Sequence, residues 1–295
     1  MIYIYMNKTI YMTYKKNIPE RVKRRWIKYN SNYKIDFSLD KDCLSFLKND
    51  FNDNLYNLFN KINIGMYKAD LWRLCKLYKN SGVYADVDLV SYLNIDELDN
   101  TITFYSCLSD IVKNSIFQAL MINFSKPNHP LLLVFLLSFL INKPYTYFNG
   151  PTFDMYNCIK YMLDVETILP EKKYEIDVVK FKICIGNSIK NIKIINLQYF
   201  PKNIEYSINL HKNIYKDTFN FEIKDNYLII KRIDEPTGWG YNHYIDICFP
   251  YKTSFFFFKE HFGPNKDWVT SYVTCKNKKI LDSRDIEYYK NNKSW

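Results

Sequence analysis

The sequence predicts an α/β domain built on a mostly parallel sheet flanked by helices, and three observations carry that prediction. Through the first half, short runs of β-branched and aromatic residues alternate with segments of helical apolar spacing, the pattern of strands joined by crossover helices. No internal repeat and no Gly/Ser-rich linker interrupts the 295 residues. The apolar fraction of 47%, with aromatics at 18%, can fill a substantial core. One unit over residues 1–295 is therefore expected. Its halves are 1–155, where the alternation is strongest, and 156–295, whose stretch 165–235 is rich in β-formers and lysine and reads as an insertion.

In order, "TIYMTYK" (9–15) reads as a first strand and "PERVKRRWIKYN" (19–30) as a helix, with Pro19 and Glu20 in the first turn where proline and acid are favoured. "YKIDFSL" (33–39) reads as a second strand. "KDCLSFLKNDF" (41–51) and "NLYNLFNKI" (54–62) have the i, i+3, i+4 apolar spacing of helices. "MYKADLWRLCKLYKNSG" (66–82) is the clearest helix, with Gly82 as its C-terminal cap. The strand "VYADVDLV" follows, then a strand at "TITFYSC" (101–107), helices around 115–122 and 130–141, and a late core strand "SFFFFK" (254–259).

The net charge of +10 permits anionic partners, whether nucleic acid, acidic membrane or phosphorylated small molecules, and does not choose among them. The seven cysteines are scattered and form no CxxC, which predicts reduced thiols and a cytoplasmic, intracellular setting. "MIYIYMNKTIYMTYKK" lacks the basic and apolar regions of a signal peptide. "LLLVFLLSFLI" (131–141) falls well short of the roughly 20 residues needed to cross a bilayer. The basic run Arg21, Lys23, Arg24, Arg25 and Lys28 reads as a solvated helix face, with peripheral attachment to anionic membrane as the alternative.

The chemistry concentrates in "KADLWRLCKLYKNSGVYADVDLV". On a helix Asp70 and Arg73 are i, i+3 neighbours on one face. On an extended strand Asp86 and Asp88 point the same way. Two carboxylates in an apolar run need neutralising, and a hard divalent ion with oxygen ligands, Mn²⁺ or Mg²⁺, suits the pair and commonly holds substrate phosphates as well. A bare DxD also fits a solvated turn at a strand's end. The Asp-x-x-Arg helix, the small turn and the Asp-x-Asp together form a more specific unit.

"ADLWRLCKLYKNSGVYADVD" resembles the signature of glycosyltransferase family 32, the DxD sugar transferases, to which the sugar-transferring domains of large clostridial toxins are related. The family pattern runs Ala-Asp-x-x-Arg, Leu-Tyr, then Gly-Gly-x-Tyr-x-Asp-x-Asp, and only the first glycine differs here, as Ser81. "TIYMTYKKNIP", "RRWIKYNSNYKI", "MINFSKPNHPLL" and "NGPTF" extend the similarity over about 9–155. The resemblance implies a GT-A fold, a Rossmann-like sheet that binds a nucleotide-sugar with a metal bridging its diphosphate. The half 1–155 would then hold the donor, and 156–295 would supply the acceptor side and a C-terminal metal and lid segment. Carried over by position, Tyr14 stacks on the nucleobase, Asp70 and Arg73 bond the donor sugar, Asp86 meets ribose or sugar hydroxyls and the metal, and Asp88 ligates the metal.

"EHFGPNKDW" (260–268) resembles the His-Phe/Tyr-x-Gly-x-x-Lys-Pro-Trp motif of related retaining GT-A enzymes, though it is one residue short between His and Lys and has Asp267 in place of proline. The likeness implies His261 as a metal ligand, Lys266 as a diphosphate contact and Trp268 as a lid over the donor. His129, next to Pro130, reads as a helix cap, and His243 as structural.

The expected activity is thus a metal-dependent, retaining hexosyl transfer from UDP-hexose, or alternatively GDP-mannose, to a glycan, lipid or protein acceptor. Two other classes stay open. "VYADVDLV" also fits the strand and Asp-x-Asp of haloacid-dehalogenase-type phosphatases, which would leave Asp70 and Arg73 unexplained. The positive charge alone fits a nucleic-acid or membrane-binding module, although no nucleic-acid recognition motif is present and no such partner is expected.

Overall fold

The computed structural model describes residues 7–51, 53–142, 150–185, 191–196, 207–210, 219–224, 227–232, 243–264 and 270–285. The first half runs β1 (Thr9–Thr13), α1 (Glu20–Ile27), β2 (Lys34–Ser38), α2 (Asp40–Asp50), α3 (Asp53–Lys61), α4 (Gly65–Asn80), β3 (Gly82–Ala85), β4 (Val90–Ser91), β5 (Phe104–Ser109), β6 (Ile116–Asn123) and α5 (Pro130–Asn142). It continues with α6 (Gly150–Leu163), β7 (Lys173–Ile185), β8 (Asn191–Asn196), β9 (Ser207–Leu210), β10 (Phe219–Lys224), β11 (Tyr227–Arg232), β12 (His243–His261), β13 (Tyr272–Cys275) and β14 (Lys278–Asp282).

The α/β class holds. The expectation of a mostly parallel sheet is corrected: the main sheet is mixed, in the order β2-β1-β3-β6-β5-β12-β13-β14-β4, with β7 and β9 pairing antiparallel along β12. Strands β2, β1 and β3 are parallel, as are β5 and β12. Antiparallel pairing enters with β6, which runs opposite to both β3 and β5. The cause is local, since only six residues join β5 to β6, too few for the crossover that a parallel pair needs. β10, β11 and β8 form a separate antiparallel sheet.

Strand alternation divides the core into two layers. Tyr11, Tyr84, Phe255 and Phe257 face one apolar cluster with α4 and α5. Ile10, Met12, Val83, Ala85, Phe256 and Phe258 face the other, which also holds Val22 and Trp26 of α1. Helices thus cover both faces. In α1, Glu20 in the first turn and Arg24 and Arg25 in the last oppose the ends of the helix dipole. His129 caps α5 as expected, with its Nδ1 accepting the Leu131 N–H at 3.1 Å. Among the described residues no helix is long and apolar enough to cross a membrane.

Two local expectations are corrected. The helix expected around 115–122 is instead strand β6, Ile116–Asn123. A short strand buried on both faces reads as a continuous apolar run, which periodicity cannot tell from a buried helix. The strand expected through "VYADVDLV" ends at Ala85. There the Asp86 N–H donates to the Ala119 carbonyl at 2.8 Å and the Leu89 N–H to the Asp86 carbonyl at 3.2 Å, so the Asp-x-Asp lies on a tight turn.

Candidate functional site

The first level of the site is the α4–β3 junction. α4 ends at Asn80, and the next two residues have positive φ, 58° at Ser81 and 95° at Gly82. A Cβ at Gly82 would lie 2.8 Å from the Thr9 carbonyl oxygen, so glycine permits the close approach of β3 to β1. Ser81, in the place of the family's first glycine, donates its hydroxyl to the Ser125 carbonyl at 2.6 Å. This turn reverses the chain so that β3 lies beside the helix it follows, and α4 presents its first turns to the end of β3.

Arg73 is the hub there. Its Nη2 lies 3.1 Å from Asp70 Oδ1 and 3.4 Å from Asp86 Oδ1, its Nη1 donates to the Gln118 carbonyl at 2.6 Å, and its Nε donates to the Ala69 carbonyl at 3.3 Å. The guanidinium carbon sits 4.4 Å from the centre of the Tyr84 ring, and the Tyr84 hydroxyl donates to Asp86 Oδ1 at 2.6 Å. The side chains of Asp70 and Arg73 are almost fully buried, while that of Asp86 is 29% exposed. Asp86 is therefore the opening of this cluster to solvent. Burial pushes the Asp70 carboxyl up to about 6, although Arg73 pulls it the other way.

Asp88 is neutralised from elsewhere. Its Oδ2 lies 3.3 Å from Arg284 Nε, and its carbonyl accepts the N–H of Asp285. Asp285 in turn pairs with Arg25, and with Arg21 at 4.0 Å, both on α1. Glu260, buried at the end of β12, accepts the Ser109 hydroxyl at 2.5 Å and feels the charge of Arg284. A cavity of about 590 Å³ opens against Arg25, Tyr92, Tyr272, Lys279, Arg284 and Asp285. Nothing in the sequence near the Asp-x-Asp announces Arg284, because it reaches Asp88 through sheet pairing of a distant segment, and Glu260 is linked to the site only through the charge of Arg284. Tyr84 was visible, since it is the Tyr of the Gly-x-Tyr-x-Asp-x-Asp pattern.

The other expected residues separate. Tyr14 directly follows β1 as Asp86 directly follows β3, so the parallel strands bring both to one edge of the sheet. The Tyr14 ring packs partly buried against the α1 layer. His261 Nε2 is 2.9 Å from Thr274 Oγ1, and its ring stacks on Tyr272 with centroids 5.0 Å apart. Lys266 and Trp268 lie outside the described residues. Among the described residues no three His, Cys, Asp or Glu side chains converge to hold a metal, so Asp86, Asp88 and His261 do not form such a group. The donor set still fits a hard cation in the Mg²⁺ manner, with one or two carboxylates and substrate phosphates completing the shell. Of the two carboxylates, Asp86 is the one that solvent reaches, while Asp88 is buried beside Arg284.

Residues 19–106 match the family model described as "Glycosyltransferase sugar-binding region containing DXD motif". Over 119 residues the chain is 28% identical to "Uncharacterized glycosyltransferase L373" of Acanthamoeba polyphaga mimivirus, which covers 39% of this chain and 46% of that protein. The chain thus spans less than half the length of this relative. The structure of "PaToxG Glycosyltransferase" overlaps 53% of this chain and 69% of its own, with a TM-score of 0.41 and 17% identity.

Proposed function

We propose that this chain, which carries the DXD-containing sugar-binding region of glycosyltransferases over residues 19–106, is a transferase that moves a hexose from a nucleotide-sugar to a glycan, lipid or protein acceptor. A UDP-hexose is the favoured donor. The observation that supports this most is the buried Asp70–Arg73–Asp86 cluster beside Asp88, at the carboxyl edge of parallel strands inside the matched region. Crevices at that edge are where open α/β sheets bind ligands.

In this reading Asp70 accepts from sugar hydroxyls, Arg73 donates to sugar or phosphate oxygens, and Tyr14 offers a face to the base. Asp86 and Asp88 would hold Mn²⁺ or Mg²⁺, which supplies Lewis-acid stabilisation of the departing diphosphate when bound. Lys266 and Trp268 follow from the resemblance as diphosphate contact and lid, and His261 as a further ligand. The 590 Å³ cavity beside Arg284 gives an acceptor room to approach. Retention of configuration follows from the family resemblance, with the leaving diphosphate assisting attack from the same face.

A thermal-shift panel of UDP- and GDP-sugars with and without Mn²⁺ tests the proposal. The wild type is expected to be stabilised by one donor only when Mn²⁺ is present. Asp88→Asn is expected to lose that shift and to lower donor hydrolysis by on the order of 100-fold. No shift and no hydrolysis with any donor would end the proposal.

A further inference from the structure

Gln118 adjoins the charged cluster through its backbone carbonyl, and its side-chain amide is buried and unsatisfied. It is 3% exposed, yet among the described residues neither its Nε2 nor its Oε1 has a hydrogen-bond partner. A buried amide usually finds partners, and leaving one without them costs stability, so an amide with both ends idle calls for a reason. Its position supplies one. The backbone carbonyl of Gln118 is the acceptor for Arg73 Nη1 at 2.6 Å, and the next carbonyl along β6, that of Ala119, accepts the Asp86 N–H at 2.8 Å. Gln118 is thus fixed by its backbone between the two residues that the proposed function gives to the donor.

We infer that Gln118 is a specificity-determining residue whose amide is completed by a hydroxyl group of the transferred sugar. The inference rests on the transferase reading and names part of its substrate chemistry. A primary amide offers donor and acceptor together, and a sugar hydroxyl, which both donates and accepts, matches it. Asp70 accepts only and Arg73 donates only, so the three side chains would read hydroxyls of different polarity. A site built to bond a hydroxyl rejects an analogue lacking it strongly, because the buried partner is then left unpaired. Gln118 would accordingly discriminate against the donor deoxygenated at one ring position.

The test compares wild type with Gln118→Leu and Gln118→Glu, using the preferred nucleotide-sugar and its monodeoxy series, and measures donor KM, kcat and melting temperature. Gln118→Leu removes the unpaired amide at nearly constant volume. Its melting temperature is expected to hold or rise, while kcat/KM for the full donor falls about 10- to 100-fold. The penalty that the wild type imposes on one deoxy donor is expected to shrink to near unity in the same variant. If Gln118→Leu treats every donor as the wild type does, the inference is wrong and the amide belongs to the fold alone. If Gln118→Leu does not fold, the wild-type deoxy series and Gln118→Glu decide: no deoxy position singled out, or discrimination unchanged in the Glu variant, overturns it. Absence of donor binding by the wild type removes the transferase reading and this inference together, whereas donor binding with indifferent variants removes this inference alone.

Discussion

Ser81 and Gly82 show how two residues place a whole site. With φ of 58° and 95° they turn the chain from α4 into β3, which brings Asp86 back over Arg73. At Gly82 a side chain meets two backbone carbonyls, of Thr9 in β1 at 2.8 Å and of Asn7 just before it at 3.1 Å, neither of which can rotate away as a side chain would. Gly82→Ala is expected to cost about 2–4 kcal/mol, from strain and the displacement of β1, and to appear as a lower denaturation midpoint. An unchanged midpoint would mean that β1 yields freely and the junction is not what fixes the site. The glycine was legible in the sequence as a helix stop. That the residue before it would also take a positive φ, steadied by its hydroxyl on Ser125, was not, because Ser125 lies just past β6, 44 residues along the chain.

At the scale of the element, α5 shows a different dependence. Its run "PLLLVFLL" is buried throughout, so a helix was expected and is found. Its start hangs on His129, whose Nδ1 accepts the Leu131 N–H and whose Nε2 meets Thr253 Oγ1 at 2.8 Å. Burial pushes this imidazole down from 6.5 to about 3. The unfolded chain therefore binds a proton that the native state refuses between those values. The contribution is intact above pH 6.5 and is lost as pH falls toward 3, the loss reaching about 2 kcal/mol by pH 5. His129→Asn keeps a capping oxygen and removes the titration. Its stability is expected to fall less steeply than that of the wild type between pH 6.5 and 4 in urea titrations. Parallel slopes for the two proteins would place the acid sensitivity elsewhere. β6 is the counter-example at this scale, an apolar run of similar appearance that becomes a strand because β3 and β5 take both its edges.

Across the whole molecule, the charges of the Asp-x-Asp are balanced by segments far apart in the chain. Asp86 leans on Arg73 of the same local unit, whereas Asp88 depends on Arg284, carried past it just beyond β14, which pairs with β4. Arg284→Gln is expected to leave the buried Asp88 carboxylate uncompensated and to destabilise the metal-free protein by about 1–3 kcal/mol. Adding Asp88→Asn should recover much of that loss, giving a coupling energy above about 1 kcal/mol in a double-mutant cycle of chemical denaturation. Strict additivity would show that the 3.3 Å pair carries no energy. Mn²⁺ with a nucleotide-sugar, should it bind as proposed, would compete with Arg284 for Asp88, so the same cycle repeated with both present should show a smaller coupling.

The sequence alone determined the unit that runs from α4 through the glycine turn into β3. Its helix period, its stop signal and the site residues Asp70, Arg73, Asp86 and Asp88 lie in one short stretch, and local backbone geometry is enough to bring Asp70, Arg73 and Asp86 together. It determined equally that the sheet would need cover on both faces, because the continuous apolar runs Phe255 to Phe258 and Ile10 to Met12 turn apolar side chains to each side. Only the tertiary structure decided where β3 ends, that β6 is a strand, that Gln118 supplies a carbonyl to Arg73, and that Arg284 answers Asp88. Those outcomes rest on sheet neighbours and buried counter-charges from distant parts of the chain, and a low-dielectric interior requires that such partners exist without prescribing which segment provides them.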